Sequence, residues 1–209
     1  MARSCRASAA AAGVLVVLVA AGIGCGDDSA PSPPLFADDF ESYAENSDFP
    51  LGPWTDVGYG QVAWKVVKDA ANPGRSKVSA LQGYWGGAYA GDASWGDYRV
   101  SCMVRHGTVN AVMARYQNSS DCYVLAIRTH PVGELVLTRG IGGTTLQSIA
   151  FASTPATWYE LAMEVKGSAI GCFVNGVLQF RYEDATPVPR GKIGIWGADA
   201  WFDDVLVTR

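Results

Sequence analysis

From Trp54 to the carboxyl terminus, β-branched and aromatic residues alternate with other residues in short runs that Gly, Asn, Asp and Pro separate. Successive side chains of a strand point to opposite faces of a sheet, so this period of two is typical of strands. No window of the sequence has the 3.6-residue period of an amphipathic helix. Many short strands separated by turns predict an antiparallel sandwich or barrel. The predicted strands are 61–68, 77–82, 87–91, 98–105, 109–117, 122–128, 134–139, 144–150, 157–166, 169–175, 177–182, 192–196 and 200–208.

Two hairpins can be placed in register from the sequence. Asn175-Gly176 separates two predicted strands and is the strongest short hairpin signal. A second hairpin joins 111–117 to 122–128 and pairs Arg115 with Val124. One face of this hairpin is then apolar and faces the core, and the opposite face carries two arginines. The predicted core face holds Val112, Ala114, Tyr116, Tyr123, Leu125 and Ile127, and the opposite face holds Ala111, Met113, Arg115, Gln117, Cys122, Val124, Ala126 and Arg128.

Composition excludes several classes of protein. Of the 209 residues, 49% are hydrophobic and 17% are charged, which is incompatible with a disordered chain. The formal net charge is −4 and the cations are not clustered. Nucleic-acid binding depends on clustered cations, so nothing in the sequence suits a nucleic-acid partner.

The amino terminus has the features of an export signal. Arg3 and Arg6 precede an uncharged apolar run at 9–24, which is shorter than the roughly 20 residues that a transmembrane helix needs. The run ends in Gly22-Ile23-Gly24-Cys25, which resembles the lipobox of bacterial lipoproteins. We therefore predict a signal peptide at 1–24, lipidation of Cys25, a Pro-rich tether at 25–34 and a domain at 35–209. The predicted location is the bacterial cell envelope, and the alternatives are a cleaved secretory signal or a retained anchor.

The predicted domain contains three cysteines, which is an odd number for an exported protein. If the chain meanders, a whole strand separates Cys102 from Cys122, and two strand spacings of about 9.5 Å exceed the roughly 7 Å limit for disulfide α-carbons. We predict that Cys102, Cys122 and Cys172 are buried free thiols.

Several segments resemble the concanavalin A-like lectin and glucanase superfamily, and in particular its laminin-G-like domains. The resemblance implies an all-β fold, an antiparallel two-sheet jelly-roll β-sandwich. The superfamily includes lectins, enzymes and structural domains, so the resemblance leaves the function open. The segments that carry it are 36–41 (FADDFE), 95–100 (WGDYRV), 158–161 (WYEL), 165–167 (VKG), 173–176 (FVNG), 191–195 (GKIGI) and 202–207 (FDDVLV).

The resemblance also implies a structural calcium ion. In this superfamily the first and last strands lie together, and carboxylates from both strands bind Ca²⁺ in several members. Asp39 and Asp203 are the best matches in this chain, and hard oxygen ligands suit Ca²⁺. Solvated charges that protect a sheet edge are the alternative explanation.

A hydrolase of this fold needs paired carboxylates on one strand face. Glu160 and Glu164 lie on one face of a predicted strand, but Ala162 stands where laminarinase-type hydrolases have a central aspartate. That aspartate helps to separate the functions of the other two carboxyls. We therefore expect no catalytic activity, and keep hydrolysis of a polysaccharide through Glu160 and Glu164 as an alternative.

The remaining candidate function is non-catalytic binding of a glycan or glycoconjugate. Flat aromatic rings suit the apolar faces of sugars, and charged side chains bind their hydroxyls. Trp196 should lie exposed on a sheet face, opposite Ile193 and Ile195. An envelope scaffold that binds protein is a further alternative. The predicted glycan contacts are Arg115, Arg128 and Trp196 on a sheet face and Tyr84 and Trp85 in a loop.

Overall fold

The computed structural model describes residues 32–58, 64–69, 72–80, 85–105, 107–129, 133–154 and 156–209, with the backbone alone for 72–80. The part of the chain from Ser32 to Arg209 forms one compact unit. The described residues contain sixteen strands and no helix, so none of them lies in a helix that could cross a membrane. The predicted leader, Cys25 and most of the predicted tether lie outside the described residues.

Nine strands form one antiparallel sheet. The strand order is β14-β13-β12-β7-β16-β5-β4-β2, and β1 pairs with β16 through Phe36 and Val207. The first and last strands therefore lie together, as the resemblance implies. These strands are β1 (Phe36–Asp38), β2 (Asp48–Phe49), β4 (Trp64–Asp69), β5 (Asn72–Ala80), β7 (Tyr98–Arg105), β12 (Trp158–Lys166), β13 (Ala169–Val174), β14 (Val177–Glu183) and β16 (Trp201–Thr208).

Seven strands form the second antiparallel sheet, in the order β11-β10-β9-β8-β15-β6-β3. All thirteen predicted strands are present. Of the three short strands near the amino end, β1 lies in the segment 36–41 that carries the resemblance, and the other two were not predicted. The seven are β3 (Thr55–Asp56), β6 (Trp85–Ala90), β8 (Val109–Tyr116), β9 (Tyr123–Arg128), β10 (Glu134–Arg139), β11 (Thr144–Ala150) and β15 (Lys192–Ala198).

The core lies between the two sheets and takes alternate residues from both. Each large apolar side chain buried there contributes about 1.5–3 kcal/mol. The predicted core face of the β8–β9 hairpin is confirmed at five of its six positions. Core members include Trp64, Leu161 and Phe202 from the nine-stranded sheet and Val112, Ala114, Tyr123, Leu125, Ile127, Ile193 and Ile195 from the seven-stranded sheet.

A β-bulge at Arg115 places the sixth position, Tyr116, on the opposite face. Lys192 pairs with Tyr116 and Gly194 pairs with Met113, so two residues of β8 lie opposite one residue of β15. The extra residue reverses the alternation, and Tyr116 joins the second apolar cluster, outside the core. The pairing of Arg115 with Val124 was also wrong, because Met113 is the partner of Val124.

The three cysteines of the domain are buried free thiols, as predicted. Cys102 lies in β7 of the nine-stranded sheet, whereas Cys122 directly precedes β9 of the other sheet. Burial raises the pKa of all three thiols, to about 12 for Cys122 and Cys172. These cysteines are therefore unreactive structural residues.

Candidate ligand-binding site

The seven-stranded sheet has a second apolar surface on the side that points away from the core. We call it the pocket face, and it includes Met113, Tyr116, Val124, Lys192 and Trp196. Most of its residues are small or medium-sized, and aromatic residues stand at its two ends along β6 and β15. Tyr89 and Trp85 mark these two ends, and because they are four residues apart on β6 they are separated by about 13 Å.

A stacked tyrosine pair forms one end of the pocket face. The rings of Tyr89 and Tyr116 have centroids 4.8 Å apart and an interplanar angle of 22°. They belong to β6 and β8, which lie two strand spacings apart, or about 9.5 Å. Gly194 of the intervening strand pairs with Tyr89, and because it has no side chain the two rings can meet above the sheet. A Cβ on Gly194 would lie 2.7 Å from the Ala88 carbonyl oxygen and would also contact the Met113 methyl group.

A cavity of about 520 Å³, which we call the tyrosine pocket, opens beside this pair. Its volume is in the range of small-ligand sites. The ammonium of Lys192 lies 4.6 Å from the centroid of the Tyr89 ring, a cation–π contact. A tyrosine hydroxyl is protonated at neutral pH and can donate a hydrogen bond, and burial raises the pKa of Tyr116 further. The lining residues are Tyr89, Ala93, Tyr116, Gln117, Pro189, Arg190 and Lys192.

Arg115, a predicted ligand contact, is instead buried in the structure, with 1% of its surface exposed. Its guanidinium donates to the carbonyl oxygens of Gly96 at 2.9 Å, Gly167 at 2.8 Å and Val188 at 2.7 Å. It also forms an ion pair with Asp97 at 3.2 Å. The prediction was wrong because the bulge turns this side chain toward three loops at one end of the sandwich. One of these loops, 184–191, continues from Val188 into the wall of the tyrosine pocket.

A second buried network holds the same loop. The Tyr123 hydroxyl donates to Asp184 Oδ2 at 2.6 Å and accepts the Val188 N–H at 3.0 Å. Burial acts to raise the pKa of Asp184, but the hydrogen bonds from Tyr123 and Thr186 and the charge of Arg139 outweigh it and hold that pKa below its usual value. Arg115 and Tyr123 together fix Val188, and so they position the pocket wall.

Trp196 lies on the predicted face, but its ring is not exposed. It is 7% exposed and packs against Trp85, with ring centroids 5.4 Å apart. A Cβ on Gly87 would lie 2.7 Å from Trp196 Cδ1, so this glycine of the neighbouring strand leaves room for the indole. Trp85 begins β6 and is 44% exposed. Tyr84 lies outside the described residues.

Arg128 lies on the pocket face, as predicted, but far from the tyrosine pair. It forms an ion pair with Glu134 at 3.4 Å and is partly exposed. It does not line the tyrosine pocket. Four of the five predicted glycan contacts lie within the described residues, and none of these four lines the cavity.

Glu160 and Glu164 lie on the nine-stranded sheet and line two different cavities. The Glu160 carboxylate is paired with Arg99 at 3.3 Å. This geometry does not favour the hydrolase alternative.

In the described part of the chain, Asp39 and Asp203 do not belong to one cluster of possible metal ligands. Asp203 is 2% exposed, and its Oδ1 accepts the N–H of Asp204 at 2.9 Å. Asp39 lines a cavity with Glu160 and Asp204. Within the described ranges, no group of three or more His, Cys, Asp or Glu side chains is placed to hold a metal ion. Calcium binding by Asp39 and Asp203 stays a prediction.

The residues that line the tyrosine pocket were not selected from the sequence. Tyr116 was assigned to the core because the bulge has no local signal. Lys192 directly follows Gly191 and was interpreted as the start of a strand. A Cβ on Gly191 would lie 2.8 Å from the Tyr116 nitrogen, so this glycine allows the bulge to approach β15.

Solved structures show what this fold resembles. A protein of unknown function with a galectin-like fold from Bacillus subtilis has a TM-score of 0.59 at 13% identity, over 85% of this chain and 96% of that chain. The carbohydrate-binding module CBM66 from Bacillus subtilis has a TM-score of 0.58 at 15% identity, over 75% of this chain and 96% of that chain.

A third similar structure is domain 4 of AbnA, a GH43 extracellular arabinanase from Geobacillus stearothermophilus, in complex with arabinotriose. Its TM-score is 0.55 at 15% identity, over 75% of this chain and 82% of that chain. No protein-family model matches the sequence, and no curated protein sequence matches it. These structural likenesses establish the fold class, a lectin-like jelly-roll β-sandwich, as the sequence predicted.

Proposed function

We propose that this domain binds a glycan without catalysis and that the tyrosine pocket is its binding site. The observation that carries the proposal is the stacked pair of Tyr89 and Tyr116 beside Lys192, at the edge of a cavity of about 520 Å³. The similar structures include a carbohydrate-binding module and a domain in complex with arabinotriose. These two similar structures support a sugar as the class of ligand.

The chemistry of the pocket suits a sugar ring. The partly exposed Tyr89 ring offers apolar carbon surface, on which the C–H groups of a sugar can pack, and the buried Tyr116 ring supports it from β8. Lys192 and Arg190 supply donors for hydroxyl oxygens, and the Tyr116 hydroxyl can donate or accept. The Gln117 amide donates to the Arg190 carbonyl at 2.8 Å, which fixes the backbone of the pocket wall. A preformed pocket limits the entropy that is lost on binding.

A glycan array screened with the protein, followed by calorimetry on the best ligand, tests the proposal. Tyr89→Ala should weaken binding about 10-fold or more, because an aromatic ring contributes about 1.5–3 kcal/mol when it is buried by a ligand. Tyr89→Phe keeps the ring and should retain most of the affinity. Phe173→Ala is the matched control, since Phe173 lies on the nine-stranded sheet against Arg99. Equal affinities of the two alanine variants would exclude the tyrosine pocket.

The alternative of a protein-binding scaffold would be favoured if no glycan binds. Its surface would include the exposed apolar side chains of Val177 and Leu178 on the edge strand β14. An edge strand has free backbone groups and can accept a further strand.

We also propose that the domain is exported and held at a bacterial cell envelope by a lipid on Cys25. The support is the apolar run at 9–24 and the lipobox-like residues that precede Cys25. Mass spectrometry of the mature amino terminus tests this proposal. A diacylglyceryl-modified Cys25 is the expected result, and an unmodified cysteine would indicate plain secretion.

A further inference from the structure

The tyrosine pocket is a basic site in an acidic protein. The chain has 20 acidic and 16 basic residues and a formal net charge of −4. Among the seven described residues that line the pocket, Arg190 and Lys192 are cationic and none is acidic. The charge of the pocket is therefore opposite to that of the whole chain, and it concentrates anions locally.

These two cations differ from most of the described arginines in their contacts with carboxylates. Arg99, Arg105, Arg128 and Arg139 each have a carboxylate oxygen within 3.4 Å. In the described part of the chain, no ion pair within 4.0 Å is formed by Arg190 or Lys192. A cation that forms no ion pair with a carboxylate keeps its N–H donors for charge-assisted hydrogen bonds to a ligand.

Two carboxylates lie near the pocket but do not occupy it. The exposed Asp92 accepts the Ser94 N–H at 2.7 Å, and that hydrogen bond is the main reason that its pKa is lowered, with a smaller contribution from the charge of Lys192. Asp56 is near enough for its charge to help raise the pKa of Tyr116. Neither residue lines the cavity. An anionic group of the ligand would meet Arg190 and Lys192 first.

Lys192 places a positive charge of the pocket next to an aromatic ring. Its ammonium lies over Tyr89, 4.6 Å from the ring centroid. A sugar ring that packs on the tyrosine pair would therefore hold its substituents within reach of the ammonium. Arg190 adds a planar guanidinium, which can bind a carboxylate or a sulfate through two parallel hydrogen bonds.

We propose that the tyrosine pocket selects a sugar residue that carries an anionic group, either a carboxylate or a sulfate ester. This inference rests on the proposed function and narrows it to acidic glycans. Uronic-acid polymers and sulfated polysaccharides share the required chemistry, and neutral glycans lack it.

An array of paired glycans tests the inference. Each acidic glycan (polygalacturonate, polyglucuronate, alginate or a sulfated galactan) is printed beside its carboxyl-reduced or desulfated counterpart. The protein is compared with Lys192→Met and with Lys166→Met as the matched control. Lys166 is an exposed cation that lines a different cavity. Calorimetry at 50 and 500 mM salt then measures the affinity for the best ligand.

We expect at least one acidic glycan to bind at least tenfold more tightly than its neutral counterpart. This preference should disappear in Lys192→Met and persist in Lys166→Met, and the affinity should fall several-fold at the higher salt concentration. The uronate and sulfate pairs identify which anionic group is bound. Binding of neutral glycans with equal or greater affinity would overturn the inference and leave the proposed function intact. Binding of no glycan, acidic or neutral, would overturn both.

Discussion

Replacing Arg115 by Met should destabilise the domain and disorder the wall of the tyrosine pocket. The guanidinium donates hydrogen bonds to three carbonyl oxygens at 2.7–2.9 Å and pairs with Asp97 at 3.2 Å, and it is 1% exposed. Met has a similar length and fills much of the same volume, so the main loss is polar. The carbonyl oxygens of Gly96, Gly167 and Val188 would lose a donor at a site that excludes water.

The size of the effect follows from these contacts. Each hydrogen bond to a charged group contributes about 1.5–3 kcal/mol, and the loss of a buried ionic partner typically costs about 3–5 kcal/mol in total. Because the Asp97 side chain is largely exposed, water can replace Arg115 as its partner. We therefore attribute the expected loss of stability, about 3–5 kcal/mol, to the three carbonyl oxygens that lose their donor. At about 2–4 °C per kcal/mol, the melting temperature should fall by roughly 10 °C.

Urea unfolding followed by tryptophan fluorescence measures this loss. Arg128→Met is the matched control, because Arg128 makes a partly exposed ion pair with Glu134 at 3.4 Å. Such surface pairs contribute about 0–1 kcal/mol. Arg115→Lys keeps the charge but cannot reach all three carbonyls, so its loss should be intermediate. If Arg115→Met and Arg128→Met differ by less than 1 kcal/mol, the argument that Arg115 holds the three loops is refuted.

Three other predictions concern acid stability, thiol reactivity and calcium. Because the pKa of Asp184 is lowered in the folded state, its ionised form stabilises the domain above about pH 4, and this stability is lost as the pH falls through the lowered pKa. Asp184→Asn should flatten the dependence of the urea midpoint on pH between 3 and 6, and an unchanged slope would contradict this. Iodoacetamide at pH 8 should label Cys122 and Cys172 only after unfolding, since burial raises their pKa to about 12, and peptide mass spectrometry of the native protein should find neither modified. Calcium binding by Asp39 and Asp203 requires a higher melting temperature in millimolar Ca²⁺ than in chelator, and equal values would exclude it.

Several strands could be predicted because their side chains alternate between a buried face and a more exposed face, as in Tyr98–Arg105. Glu134–Arg139 and Thr144–Ala150 have the predicted bounds. The two-residue strands Asp48–Phe49 and Thr55–Asp56 were missed, since two residues cannot show a period.

The candidate site could not be predicted, because contacts between distant residues create it. The Tyr98 hydroxyl accepts the Arg115 N–H at 2.5 Å and so helps to fix the bulge from a strand of the other sheet. That one extra residue moves Tyr116 from the core to the pocket face. Trp196 was assigned to the correct face, but its burial depends on Trp85 and Gly87 in a neighbouring strand. Local sequence patterns do not indicate such contacts between residues of different strands.

The most direct test of the account is a titration of the ¹⁵N-labelled protein with the best glycan from the array, followed by amide chemical shifts. If the tyrosine pocket binds the sugar, the largest changes should fall on Tyr89, Tyr116 and Lys192. Changes confined to the nine-stranded sheet, around Arg99 and Phe173, would contradict the central claim that this pocket is the glycan-binding site.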